Sequence, residues 1–145
     1  MKAVVQRVLR ARVTVDEAVV GEIAHGLVVF LGVAPADSEA TAAALARRIV
    51  AARVFSDDDG RMNRSLADVA GSMLVVSQFT LLGDTNQRRP YFGAAAPPAQ
   101  ADALYQHFVA CARASGTTVA TGRFGAHMLI DSVNDGPVTL LYKES

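Results

Sequence analysis

Two short stretches of this chain carry polar side chains at unusual places. Ser77-Gln78-Phe79-Thr80 follows directly on the apolar run Met73-Leu74-Val75-Val76. A buried strand usually ends in turn residues. Here two hydroxyls and a carboxamide, three hydrogen-bonding side chains, surround an aromatic ring. By pattern alone an edge strand with its polar face in water is slightly favoured. The second stretch, Asn134-Asp135-Gly136-Pro137-Val138-Thr139, sits between two apolar segments. Taken by itself it is a hairpin turn: glycine tolerates positive φ, and proline fixes φ and removes a donor. Its Gly-Pro bond would ordinarily be trans, since only about 5% of such bonds in folded proteins are cis.

Other familiar chemistries lack sequence support. No G-x-G-x-x-G or G-x-x-x-x-G-K-[ST] run is present, and Gly122-Arg123-Phe124-Gly125 is no substitute. There is no G-x-S-x-G nucleophile elbow. The acidic run from Asp57 lacks the mid-loop acid and glycine of an EF-hand. His25, His107 and His127 share no metal spacing. His107 and Cys111 stand one helical turn apart, but two ligands do not make a zinc site and a helix interior rarely offers an oxyanion hole. Neither metal nor cofactor is expected.

The elements that must position the two stretches follow from periodicity. Val4 to Val15 is rich in β-branched residues and reads as a long strand, with Arg10 and Arg12 on one face. Val19 to Ile23 and Leu27 to Val33 read as two more strands, parted by a turn at His25-Gly26. Asp37 or Ser38 can cap a helix whose apolar stripe is Ala42, Leu45, Ala46, Ile49 and Val50, with Arg47 and Arg48 off that stripe. Asp57 to Gly60 is a turn between extended segments. The strand at Met73 to Val76 is expected to run on into Ser77 to Leu81.

After a loop from Gly83 to Pro98, Pro97-Pro98 leads into a second helix that buries Leu104, Tyr105, Phe108, Val109 and Ala112 and stops at Gly116. Thr117 to Ala120, Met128 to Val133 and Val138 to Tyr142 read as closing strands. Two helices among many strands, without regular β-α alternation, predict an α+β fold with a mostly antiparallel or mixed sheet.

The 145 residues suit one domain spanning 1–145, with no linker, repeat or low-complexity tract. Fourteen basic residues balance fourteen acidic ones, so no global basic field advertises nucleic acid. Lys2 and Lys143 are the only lysines; the arginines offer planar forks suited to phosphate, so a local RNA-facing patch is compatible with neutrality. The single cysteine, Cys111, leaves no intramolecular disulfide. The opening Met1 to Arg7 meets charge too early for a signal peptide, and the apolar stretch Leu27 to Ala34 falls short of the roughly 20 residues needed to cross a bilayer. A cytoplasmic address and no membrane partner are expected.

Together the two polar stretches resemble the S-Q-F-T and N-x-G-P-[VFL]-T signatures of the D-aminoacyl-tRNA deacylase family, in that family's order and at about its separation. The resemblance runs over essentially the whole chain, from Lys2-Ala3-Val4-Val5-Gln6-Arg7-Val8 through Val13-Thr14-Val15, Gly21-Glu22-Ile23, Leu31-Gly32-Val33 and Arg61-Met62-Asn63. It continues in Arg89-Pro90, Ala96-Pro97 and Thr121-Gly122-Arg123-Phe124. Two departures stand out: the loop Asp84 to Pro90 is one or two residues shorter than usual and lacks the common glycine, and His127 stands where an acidic residue is typical.

The resemblance implies a compact α+β homodimer with two equivalent sites at the subunit interface. In that family the Gly-Pro dipeptide is cis and projects into the other subunit's pocket, the place that Gly136-Pro137 would take. Ser77, Gln78, Phe79 and Thr80 would form the catalytic stretch, with backbone N–H groups near Phe79 and Thr80 as the oxyanion hole. Thr80 would be either a nucleophile or a positioning group; no histidine base accompanies it, which favours the second. Asn134 belongs to the same substrate-facing motif as Gly136 and Pro137, Arg7 would hold that motif, and Met128 would line the pocket of the terminal adenosine. The implied partner is tRNA carrying a D-amino acid or glycine, which would be hydrolysed to free amino acid and tRNA. Two other readings remain: a non-catalytic tRNA-binding homologue, and an interaction protein in which both motifs are merely turns.

Overall fold

A computed structural model describes residues 1–145. The backbone of the fold is β1 (Lys2–Val15), which has a neighbour on each side along most of its length. On one side its first half pairs antiparallel with β3 (Gly26–Gly32) and its second half with β2 (Ala18–Ile23). The chain then crosses through α1 (Glu39–Val50) and a two-stranded ribbon, β4 (Phe55–Ser56) with β5 (Met62–Arg64), to β6 (Ser72–Ser77), parallel to β3. Helix α2 (Pro98–Ala114) returns it to β7 (Thr118–Thr121), parallel to β6. Finally β8 (Leu129–Lys143) runs antiparallel along the other side of β1. The sheet is therefore mixed and the class α+β, as the sequence predicts.

Alternation along the central strands divides the interior in two. Leu27, Val29 and Leu31 of β3, with Met73 and Val75 of β6, face α1 and α2 in a core of 24 buried residues. Val28, Leu74 and Val76 point the opposite way, into a second cluster with Val8, Ala11, Val13, Val15 and Ile23. That second cluster exists because the sheet curls until β2 lies against β7. A side chain at Gly21 would meet the Thr121 carbonyl at 2.1 Å, so only glycine admits this approach.

The helices form where the apolar periodicity places them. Ser38 is the cap of α1: its Oγ accepts from the Thr41 N–H at 3.3 Å, and Thr41 Oγ1 accepts from the Ser38 N–H at 3.2 Å. Pro98 opens α2, and Gly116 lies just beyond its end at φ +91°. No helix is long and apolar enough to cross a membrane.

Two expectations need correction. The strand from Met73 does not continue to Leu81. It ends at Ser77, and Phe79–Leu82 forms one 3-10 turn, stopped by Gly83, whose N–H donates to the Thr80 carbonyl at 3.0 Å. Nor is Asn134 to Thr139 a hairpin turn between two strands. It lies inside the single long β8, which resumes its pairing with β1 after the interruption because β1 is long enough to partner both segments.

Candidate active site

The end of β6 and the 3-10 turn form one wall of a cavity of about 670 Å³, a size typical of small-molecule sites. Ser77, Gln78 and Phe79 line it. Opposite them stand Phe124 to Met128 from the segment joining β7 to β8, with Phe92 and the stretch Ala95 to Pro98 closing the remainder. The wall at Ala95 to Pro98 is tied to the end of β3, since the Ala96 N–H donates to the Val33 carbonyl at 2.9 Å. Phe79 and Phe92 meet edge to face, with ring centroids 5.5 Å apart.

The turn gives this wall its polar character. Gln78 is anchored by its own N–H, which donates to the Leu31 carbonyl at 2.8 Å. The next two backbone N–H groups, of Phe79 and Thr80, open the 3-10 turn, where no intrahelical acceptor precedes them. Thr80 is exposed and is not among the lining residues; its Oγ1 accepts from Gln78 Nε2 at 2.6 Å. That bond uses one of the carboxamide's two N–H groups to hold the threonine hydroxyl beside the turn. Gly32 makes the junction possible, because a side chain there would lie 2.6 Å from Leu82 and 3.0 Å from the Gln78 carbonyl oxygen.

The second stretch is built differently. In the pairing of β8 with β1, Asn134 faces Val8 and Thr139 faces Gln6. The intervening residues of β8 therefore have no room in the ladder and bulge outward. Gly136 and Pro137 are exposed at its tip, Gly136 has φ +128°, and the bond between them is cis. Asn134 closes the base of the bulge: its Nδ2 donates to Thr139 Oγ1 at 3.1 Å, and its Oδ1 accepts from the Val138 N–H at 3.2 Å. Gln6 Nε2 donates to the same threonine oxygen at 3.2 Å.

Arg7 anchors the bulge from beneath. It is 9% exposed, on the helix-facing side of β1. Its Nε donates to the Asp135 carbonyl at 3.1 Å, and its Nη1 donates to the Val54 carbonyl at 2.8 Å. The Asp135 carboxylate lies 3.4 Å from Nε and balances the buried charge. The bulge is thus fixed to the segment leaving α1.

The structure accordingly sorts the expected site residues into two groups. Ser77, Gln78, Phe79 and Met128 share the cavity, with Thr80 tied to Gln78 at its edge. Arg7, Asn134, Gly136 and Pro137 form the separate bulge and line no part of that cavity in their own chain. Arg10 and Arg12 do share a face, as expected, but Glu22 and Asp131 line the same hollow, so no net basic patch results. Phe92, Ala95 to Pro98 and Phe124 also form cavity walls, a role the sequence does not assign them, although Ala96-Pro97 and Phe124 belong to segments that carry the family resemblance.

The family model described as D-Tyr-tRNA(Tyr) deacylase matches residues 4–143. The chain belongs to this family. Two deacylase relatives are similar over nearly their whole length. The D-aminoacyl-tRNA deacylase of Xanthomonas axonopodis pv. citri is 52% identical over 145 residues, covering 99% of each chain. That of Deinococcus radiodurans is 55% identical over 141 residues, covering 97% of each. Among solved structures, the same fold recurs in the c-Myc DNA Unwinding Element Binding Protein. It is 38% identical with a TM-score of 0.93, covering 99% of this chain and 98% of that one. A probable eukaryotic D-amino acid tRNA deacylase shares the fold with a TM-score of 0.83 at 16% identity, covering 97% of each chain.

Proposed function

We propose that this deacylase-family member hydrolyses the ester bond joining a D-amino acid, or glycine, to the 3′-terminal ribose of tRNA, and that it does so as a homodimer. The observation that carries the reading is the 3-10 turn beside a cavity of substrate size, whose first N–H groups, of Phe79 and Thr80, have no intrahelical acceptor. An aminoacyl ester is already activated, so positioning and stabilising the tetrahedral oxyanion supply most of the acceleration required. Water adds to the carbonyl carbon, the carbonyl oxygen takes the negative charge into the two N–H groups, and collapse expels the ribose oxygen. The neighbouring ribose hydroxyl assists proton movement. Gln78 and Ser77 shape the pocket, Thr80 positions groups rather than attacking, and Met128 lines the nucleoside end. No step calls for a metal.

In this reading Gly136-Pro137 supplies chiral selection from the second subunit. Support comes from its exposure at the tip of an anchored bulge, which does not line the cavity of its own chain. Rigid backbone carbonyls held by Arg7 and Asn134 fix the substrate's α-amino group. An L side chain then strikes the wall, whereas hydrogen or a D side chain points away. Glycine, with no side chain to reject, is hydrolysed too.

The test is release of amino acid from D-tyrosyl-, L-tyrosyl- and glycyl-tRNA by metal-stripped protein, with the oligomeric state measured alongside. Rapid loss from the D and glycyl substrates by a dimer, with the L substrate spared, is expected. Binding of tRNA without release would leave a non-catalytic tRNA-binding homologue.

A further inference from the structure

The cavity wall contains one titratable side chain, His127. Every other lining residue is apolar, glycine, serine or glutamine. His127 is exposed and flanked by the half-buried Ala126 and Met128, so it stands at the cavity mouth while its neighbours face inward. Its segment is held at both ends of the approach: the Gly122 N–H donates to the Val75 carbonyl at 3.1 Å, and the Ala126 N–H donates to the Arg123 carbonyl at 3.2 Å. The imidazole itself makes no hydrogen bond and no ion pair within the chain. A donor free of internal partners is therefore displayed on an ordered segment beside an otherwise uncharged pocket.

Resting on the deacylase reading, we propose that His127 is a substrate-positioning residue that binds the phosphate 5′ to the terminal nucleoside of the tRNA. The chemistry favours phosphate over the other groups of the substrate. The apolar interior suits the nucleoside and the amino-acid side chain, and the reacting carbonyl belongs at the Phe79-Thr80 turn. The remaining part of the acceptor end is an anion that must leave the cavity through its mouth. An imidazole N–H there donates to phosphate oxygen in either protonation state, and its cationic form adds attraction. Because the ester lies elsewhere, the contact acts on binding and leaves the chemical step alone.

The experiment measures kcat and KM for wild type, His127→Gln, His127→Ala and His127→Asp with two substrates: D-tyrosyl-tRNA, and the D-tyrosyl ester of adenosine, which has no 5′-phosphate. With tRNA, KM is expected to rise from wild type through Gln and Ala to Asp, reaching about three- to tenfold for Ala, the scale of one exposed charged contact. The value of kcat should stay within about twofold, and with the adenosine ester all four proteins should agree. Equal KM rises on both substrates would overturn the proposal by placing the contact on the nucleoside. Unchanged KM for every variant, or a fall in kcat alone, would overturn it as well. Wild type inactive on both substrates would instead sink the deacylase reading itself.

Discussion

Replacing Gly136 by alanine perturbs the bulge at the point where it is least able to adapt. Gly136 has φ +128°, where L residues are rarely found, and an added Cβ would lie 3.0 Å from Arg7 Nη2 and 3.0 Å from Val138 Cγ2. The Arg7 guanidinium cannot simply yield, because its Nη1 and Nε are engaged with the Val54 and Asp135 carbonyls. Holding alanine in this conformation costs about 1–3 kcal/mol. Native domains are stable by about 5–15 kcal/mol, so the variant should fold, with Tm lowered by roughly 4 °C per kcal/mol. The strain is relieved by moving the exposed tip. A displacement near 1 Å at a substrate-contacting group can cost about a hundredfold in rate. We therefore expect kcat/KM for D-tyrosyl-tRNA to fall about ten- to a hundredfold while the fold and the oligomeric state of the wild type are kept. Gly60→Ala is the control: it has φ +77° with open space around it, so it should lose stability but keep full activity. Normal turnover by Gly136→Ala would refute the assigned role.

Thr80→Ala should retain partial activity in the same assay if, as proposed, backbone groups carry the chemistry; complete loss with an intact fold would make the hydroxyl a nucleophile. Ser38→Ala removes the Oγ that accepts from the Thr41 N–H, while the bond from the Ser38 N–H to Thr41 Oγ1 stays, and should cost about 0.5–2 kcal/mol in denaturant unfolding, with activity unchanged. Burial pushes the Tyr105 hydroxyl above its ordinary value of 10.0. The unfolded chain then loses this proton first, so Tyr105 stabilises the fold below about pH 10 and that contribution is lost as pH rises through the higher folded value. Tyr105→Phe should flatten the alkaline arm of stability against pH. It should also cost about 1 kcal/mol at neutral pH, since the Val75 carbonyl keeps its bond from the Gly122 N–H.

Local chemistry in the sequence foretold much of this architecture. The apolar stripes of α1 and α2, the Ser38 cap and the short connection between β2 and β3 are set by neighbours a few residues apart, which pattern reading captures. Asn134 to Thr139 misled for the opposite reason. Asn-Asp-Gly-Pro is turn chemistry, and only β1, more than a hundred residues earlier, keeps both flanks in one strand. The 3-10 turn after Ser77 was likewise hidden, because a side chain at Gly32 would obstruct it and nothing near Phe79 reports that. Arg7 was tied to the bulge only through the family resemblance, whereas its second acceptor, the Val54 carbonyl, leaves no trace in residue type. The sorting of the expected site residues into a cavity and a bulge that does not line it depends on pairings between remote strands, which no local window contains.

The bulge also bears on solubility. β8 pairs only with β1, so its outer edge is an unpaired ladder, with Leu129 and Leu141 61% and 83% exposed. A long flat edge of this kind templates the addition of further strands. The outward excursion splits it into Leu129 to Asn134 and Thr139 to Lys143, and Pro137 contributes no N–H between them. Another chain could not zip along the whole edge without first flattening a loop clamped by Arg7 and Asn134. The feature read here as the chiral filter is thus also a guard against runaway polymerisation, so substitutions that loosen it should be sought among insoluble variants as well as inactive ones.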